Sequence, residues 1–214
     1  MTKIFVISMD TEIGETRRAK LKYEYEWFIA NEEALPFIKD KMYNLWNTKE
    51  KVKKAKRGVM DSYYRLLRKI YEEKLNDVII AEDDCQLIKL PEVLPDTLCY
   101  LNGLFINNHA GYKNNWKKYN DFNKEHKIHE IDYSKSRILG LWGIYIPKYT
   151  DVKPIINMIE NSKRLRASDI MIMKNQFIKH YIYPACFYVD DGGYSQIGNK
   201  IVGIHKNTQG IYNV

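Results

Sequence analysis

Apolar residues in this chain fall into short β-branched blocks, separated by stretches with helical spacing. Lys3 to Ser8 is one such block and predicts a first strand, ending at Met9-Asp10-Thr11. Arg17 to Ala30 sets Leu21, Tyr25 and Phe28 on one side and predicts a helix. Leu35 to Ile38 predicts a second short strand, and Tyr43 to Lys56 reads as a basic loop with a helical piece. Gly58 opens a new element. Val59 to Lys74 follows with Val59, Tyr63, Leu66, Leu67, Ile70 and Tyr71 at a 3.6-residue period. Asp61 and Ser62 would lie in its first turn, where acids and caps belong. Val78 to Ala81 is a buried strand running straight into Glu82, Asp83 and Asp84.

The second half continues the alternation. Leu98 to Ile106 predicts a strand after Pro91 and Pro95, and Asn107 to Tyr133 is a polar excursion low in aliphatics. Arg137 to Ile146 predicts a strand ended by Pro147, Asp151 to Asn161 a helix, and Ala167 to His180 another. Ser168 is the expected N-cap of that last helix, with Asp169 in its first turn. Tyr181 to Val189 predicts a strand, and Lys200 to His205 a final segment. Strands alternating with helices predict an α/β fold: a mixed, mostly parallel central sheet flanked by helices. With 214 residues and no internal repeat, one domain is expected.

Three acids at a strand end sit where open α/β sheets bind ligands. Packed like charges repel, and a hard divalent cation such as Mg²⁺ or Mn²⁺ relieves that repulsion. The same residues also fit a plain solvated acidic turn. The formal net charge of +7 favours anionic partners, and much of it lies between Lys39 and Arg57. The three cysteines Cys85, Cys99 and Cys186 form no CxxC pair and are expected as free thiols. The opening residues are too quickly polar for a signal peptide, and no run suits a membrane span. The expectation is a soluble, cytoplasmic protein, or one of the host cytoplasm if the source is viral.

The order of these motifs resembles a GT-A-fold nucleotide-sugar glycosyltransferase. It is most similar to the family 25 type of surface-polysaccharide assembly and to chlorella-virus glycosyltransferase domains. The residues that carry the resemblance are Val6-Ile7-Ser8-Met9-Asp10 followed by Arg17-Arg18, then Gly58, Ser62-Tyr63 and the helix, and Glu82-Asp83-Asp84. Gly140-Leu141-Trp142-Gly143-Ile144-Tyr145-Ile146, Ala167-Ser168-Asp169 and His205 follow. Tyr63 stands where that family has a histidine.

The resemblance implies a nucleotide-binding half over residues 1–106 and an acceptor-binding half over 107–214. It implies transfer of a hexose or deoxyhexose from a UDP-sugar to a glycan hydroxyl, with Mn²⁺ or Mg²⁺. Asp84 would be the direct metal ligand, aided by Glu82 and His205. Alternation along an extended segment would set Glu82 and Asp84 on one side. Asp83 would face away or meet the ribose or sugar. Ser8, Met9, Asp10 and Thr11 would lie under the nucleotide, with Arg57 and Lys206 at the phosphates and Asp61 at the base or ribose. Asp169 is the candidate general base, which would make the reaction inverting. Trp142, Tyr145 and Asp191 are candidates on the acceptor side. The expected partners are the nucleotide sugar and the glycan, with no nucleic acid; the chain would act as a monomer or as a module of a larger enzyme. Two other readings compete. A nucleotidyltransferase on sugar phosphates would want a Gly-rich loop after the first strand, where Met9 to Arg18 holds only Gly14. A basic nucleic-acid-binding domain would leave the strand-to-acids arrangement unexplained.

Overall fold

The computed structural model describes residues 2–31, 33–42, 50–107, 125–134, 136–183, 185–189, 194–195 and 200–201. Strand β1 (Lys3–Met9) pairs in parallel with β2 (Glu26–Ala30) on one side and with β3 (Val78–Glu82) on the other. The chain therefore leaves β1 in one direction, builds β2, and returns past β1 to build β3. Such a reversal opens a crevice outside the carboxyl ends of the two strands. The sheet continues through β7 (Ser136–Ile146), β5 (Cys99–Asn107), β8 (His180–Tyr183) and β6 (Lys127–Glu130), in the order β2-β1-β3-β7-β5-β8-β6. β7 runs antiparallel to both neighbours and β6 antiparallel to β8. The sheet is mixed: β1–β2, β1–β3 and β5–β8 are its parallel pairings.

Strict alternation divides the strand side chains between two cores. Phe5, Ile7, Val78, Ile80, Ile144 and Ile146 face the helix α3 (Glu50–Glu72) and its neighbours. Those neighbours are α2 (Pro36–Lys41), α4 (Lys153–Asn161) and α5 (Ser168–Lys174). Val6, Ile79, Ala81 and Tyr145 face the opposite core, with Cys85, Cys99, Leu101, Cys186 and Phe187. That side carries a small ribbon, β4 (Cys85–Leu87) against β9 (Phe187–Val189). The short strands β10 (Tyr194–Ser195) and β11 (Lys200–Ile201) pair with each other.

Several expectations from the sequence change. The predicted helix over 17–30 is two elements: α1 (Glu12–Arg18), then β2. Trp27, Phe28 and Ile29 have strong strand preference, and pairing with β1 satisfies their backbone. Leu35 to Ile38 is helical, with Pro36 at the first position, where its missing N–H costs nothing. Gly58 lies inside α3, which begins at Glu50 and carries Asp61 and Ser62 buried in its middle. A Cβ at Gly58 would stand 3.1 Å from the Asn31 carbonyl oxygen, so the small residue serves a close approach of helix and strand end. α5 stops at Lys174, and Gln176 takes a positive φ of 53°. The predicted strand over 181–189 divides into β8 and β9, which pair in different sheets.

α1 presses on the end of β1. Thr11 caps it, its Oγ1 accepting the Gly14 N–H at 3.2 Å. A Cβ on Gly14 would meet the Met9 carbonyl oxygen at 2.2 Å and Ser8 Oγ at 2.9 Å. Gly14→Ala should therefore destabilise the fold by about 1–3 kcal/mol, the usual cost of overpacking. Urea unfolding measures this. A loss under about 0.5 kcal/mol, the scatter of neutral surface changes, would show that α1 does not pack on β1 as described.

Candidate active site

The carboxyl ends of β1 and β3 lie side by side in the reversal crevice, with Ile7 opposite Glu82. The β3 strand ends at Glu82, and Asp83 and Asp84 form a turn into β4. The extended alternation expected for the three acids thus stops after the first. Glu82 keeps the parity of Val78 and Ile80 and faces the helix side, toward α3.

Asp83 is held by β1 and α1. Ser8 Oγ donates to Asp83 Oδ2 at 2.7 Å, and Arg17 Nη1 lies 3.0 Å from Asp83 Oδ1. The same nitrogen is 3.9 Å from Asp84 Oδ2. Arg18 Nη1 donates to Ser8 Oγ at 2.7 Å and to the Met9 carbonyl at 2.8 Å. Its guanidinium lies 3.7 Å from the centre of the Trp27 ring, and Trp27 Nε1 donates to the Ser8 carbonyl at 3.1 Å. The Arg17–Asp83 pair is largely enclosed, with 12% and 10% side-chain exposure. Removing one partner of such a pair strands a charge and costs about 3–5 kcal/mol.

On the helix side, Tyr63 Oη lies 2.5 Å from the Leu141 carbonyl and 3.4 Å from Glu82 Oε1. The hydroxyl has one proton, and the shorter contact takes it. Glu82 then has a reason to carry its own. Desolvation first, then the carboxylates of Asp84, Asp83 and Asp169, push its carboxyl up to about 8. Burial, then Glu82, likewise pushes the Tyr63 phenol well up. Cys85, beside the acids, is pushed up by burial and then by Asp84 and Glu82, so it stays a thiol.

Asp169 comes to this group from the other half of the chain, on the first turn of α5. The Gly140 N–H donates to Asp169 Oδ2 at 3.2 Å, and the Ile170 N–H donates to Oδ1 at 2.7 Å. Gly140 has φ +82°, and a Cβ there would sit 3.0 Å from the Trp142 ring. The glycine therefore lets β7 turn its amide toward Asp169. Four carboxyl groups from two distant segments thus share one edge of the sheet. Among the described residues, no three His, Cys, Asp or Glu side chains are grouped closely enough to hold a metal ion unaided.

The remaining sequence candidates divide sharply. Ser8 is 2% exposed, and its hydroxyl serves Asp83 and Arg18, which leaves it no surface for a nucleotide. The Met9 carbonyl accepts from Arg18, and Thr11 is a helix cap. Asp10 is exposed at the crevice rim. Asp61 is fully buried and accepts from the Leu35 N–H at 3.0 Å and Arg65 Nε at 2.7 Å. It fastens α2 to α3 and has nothing to offer a base or ribose. Arg57 donates to Glu50 within α3 at 3.1 Å, and its Nε is buried without a partner among the described residues. Tyr145 is 4% exposed and donates to Asp77 Oδ1 at 2.7 Å, at the amino end of β3. That places its hydroxyl at the end of β3 opposite the acid tip. Trp142 is half-buried beside the opposite core, close to Gly140. Asp191, His205 and Lys206 lie outside the described residues.

The sequence pattern puts Arg17 and Arg18 at the basic start of a helix and Trp27 within that helix. Their charge and ring were visible, but their meeting with Asp83 and Ser8 needs the β1–α1–β2 return. A scan against protein-family models gave no match, and neither did a search of curated proteins.

The raised Glu82 carboxyl has a measurable consequence. The folded protein keeps a proton that the unfolded chain loses near the ordinary value of 4.5. Stability should therefore fall as pH rises from about 4.5 through about 8. Glu82→Gln mimics the protonated form and removes this dependence. In chelator, its stability advantage over the wild type should grow between pH 5 and pH 8 by on the order of 2–4 kcal/mol, at about 1.4 kcal/mol per pH unit. Parallel stability curves for the two proteins would show an ordinary carboxyl.

Proposed function

We propose that the protein is a metal-dependent glycosyltransferase that takes a sugar from a nucleotide diphosphate, with UDP as the nucleotide, and passes it to a glycan hydroxyl. The observation that carries this reading is the meeting of Glu82, Asp83 and Asp84 with Asp169 at the carboxyl ends of β1 and β3. Open α/β sheets bind ligands at such a reversal. Four acids with Arg17 among them form a setting that favours a further cation.

Asp84 would hold that cation, with Glu82 once it gives up its proton. Hard carboxylate oxygens fit Mg²⁺ or Mn²⁺, and such ions commonly take one or two carboxylates and complete their shell with substrate phosphates and water. The bound cation would supply charge neutralisation to the departing diphosphate.

The chain's own residues do the rest. Arg17 and Ser8 fix Asp83, so the turn carrying Asp84 is set before any donor arrives. Asp169 is oriented by two backbone N–H groups. It would take the proton of the acceptor hydroxyl as the acceptor oxygen bonds the anomeric carbon and the bond to the diphosphate breaks. Attack opposite the leaving group inverts the anomeric centre.

Calorimetry with UDP and Mn²⁺ tests the donor site. UDP should bind in Mn²⁺ and not in chelator, and Asp84→Ala should lose the metal-dependent part. Equal UDP affinity with and without Asp84, or no nucleotide binding at all, would end this reading. Asp169→Asn should keep UDP affinity yet slow UDP release from a UDP-hexose by about 10²–10⁴-fold, the usual worth of a general base. An undiminished rate would remove Asp169 from the chemistry.

A further inference from the structure

Asp169 is delivered by a short loop whose charge is unlike that of the site. Residues 162–167 join α4 to α5 and read Ser-Lys-Arg-Leu-Arg-Ala. Lys163, Arg164 and Arg166 are all exposed, while Leu165 between them is 2% exposed. The Leu165 N–H donates to the Lys41 carbonyl at 2.9 Å, and the Ser162 N–H to the Met158 carbonyl at 3.0 Å. Lys41 Nζ in turn reaches the Ile159 and Glu160 carbonyls at the end of α4. The loop is thus pinned by buried Leu165 and by backbone bonds, and its three cations are exposed.

Its position matters as much as its charge. Glu160, just before the loop, accepts from Tyr64 at 2.8 Å, and Tyr64 neighbours Tyr63, which reaches Glu82. The loop therefore starts at the level of the acid tip and ends, at Ser168, one residue before Asp169. Glu160, at the end of α4, is engaged by Tyr64 and Arg68, and the exposed Asp40 stands beside Lys41. Three exposed cations on one short, pinned loop are a poor surface for a neutral ligand and a good one for a polyanion.

We propose that the loop 163–166 is a cationic rest for the acceptor, and that the acceptor is an acidic glycan bearing carboxylate groups. This rests on the transferase reading, because it takes the side of Asp169 as the acceptor side. Spaced sugar carboxylates would meet the cations while a neighbouring hydroxyl reaches Asp169.

Binding of tetragalacturonate and of neutral maltotetraose, measured in low salt and in 0.3 M salt, tests it. The wild type should prefer the acidic sugar by about tenfold or more, which corresponds to about 1.4 kcal/mol shared among three exposed charges. The preference should shrink in high salt. The triple variant Lys163→Ala, Arg164→Ala, Arg166→Ala should lose it, with the effect confined to the sugar and not to Mn²⁺-dependent UDP binding. No preference in the wild type, or a preference kept by the variant, overturns the proposal. Equal loss of UDP binding overturns it too, by putting the cations on the donor side. So does tighter, loop-dependent binding to phosphatidylglycerol vesicles than to the acidic sugar. A wild type that binds tetragalacturonate through this loop but never binds UDP would leave the acidic-glycan site standing and remove the transferase reading.

Discussion

Like charge concentrated at one strand end governs this structure. Two unit charges about 4 Å apart near a protein surface interact by roughly 4 kcal/mol, so a group of carboxylates cannot simply be packed together. The fold relieves the strain in two ways. Arg17 sits against Asp83 and near Asp84, and Glu82 retains a proton well above the usual carboxylate range. Neither measure is free of consequence. The arginine must be held in place, and the retained proton makes stability depend on pH.

Holding the arginines explains the shape of the first 30 residues. Arg17 and Arg18 are neighbours on one short helix but have different tasks. Arg17 meets the acids, while Arg18 binds Ser8 and the Met9 carbonyl and lies on Trp27. Gly14 lets the helix come close enough for both. The middle acid of the tip thereby becomes a structural residue that ties β3 to β1. Glu82 and Asp84 flank it, one facing α3 and the other in the turn before β4. The tip is a division of labour among three adjacent carboxyls, set by which strand, turn or helix each one meets.

The second half of the chain contributes through Asp169 and the loop before it. Gly140 bends β7 so that its amide reaches Asp169, and Leu165 pins the loop that carries α5 into position. These two small features bring an acid that lies far away in sequence to the end of β3. The loop that Leu165 pins also carries three exposed cations.

The sequence by itself determined the strands whose apolar runs are long and β-branched. Lys3–Met9, Val78–Glu82 and the strand ending at Ile146 form where their patterns put them, because burying such residues on both faces leaves no other economical arrangement. The later turns of α3 follow from a clean 3.6-residue period. The acid tip was legible too, since apolar residues running into three acids are conspicuous in any context. Local pattern failed where a segment was short and its partner distant. The spacing of Leu21, Tyr25 and Phe28 reads Trp27 to Ile29 into a helix, and they form a strand because β1 offers a hydrogen-bonding edge. Asp61 resembled a first-turn acid and Tyr145 a stacking ring until packing buried one under α2 and turned the other to the far edge. Tertiary structure alone decided that Arg17 faces Asp83, that Ser8 is spent inside the fold, and that Asp169 joins Glu82. Each of those outcomes depends on bringing residues many positions apart within a few ångströms, and only the completed sheet and its crossings fix such distances.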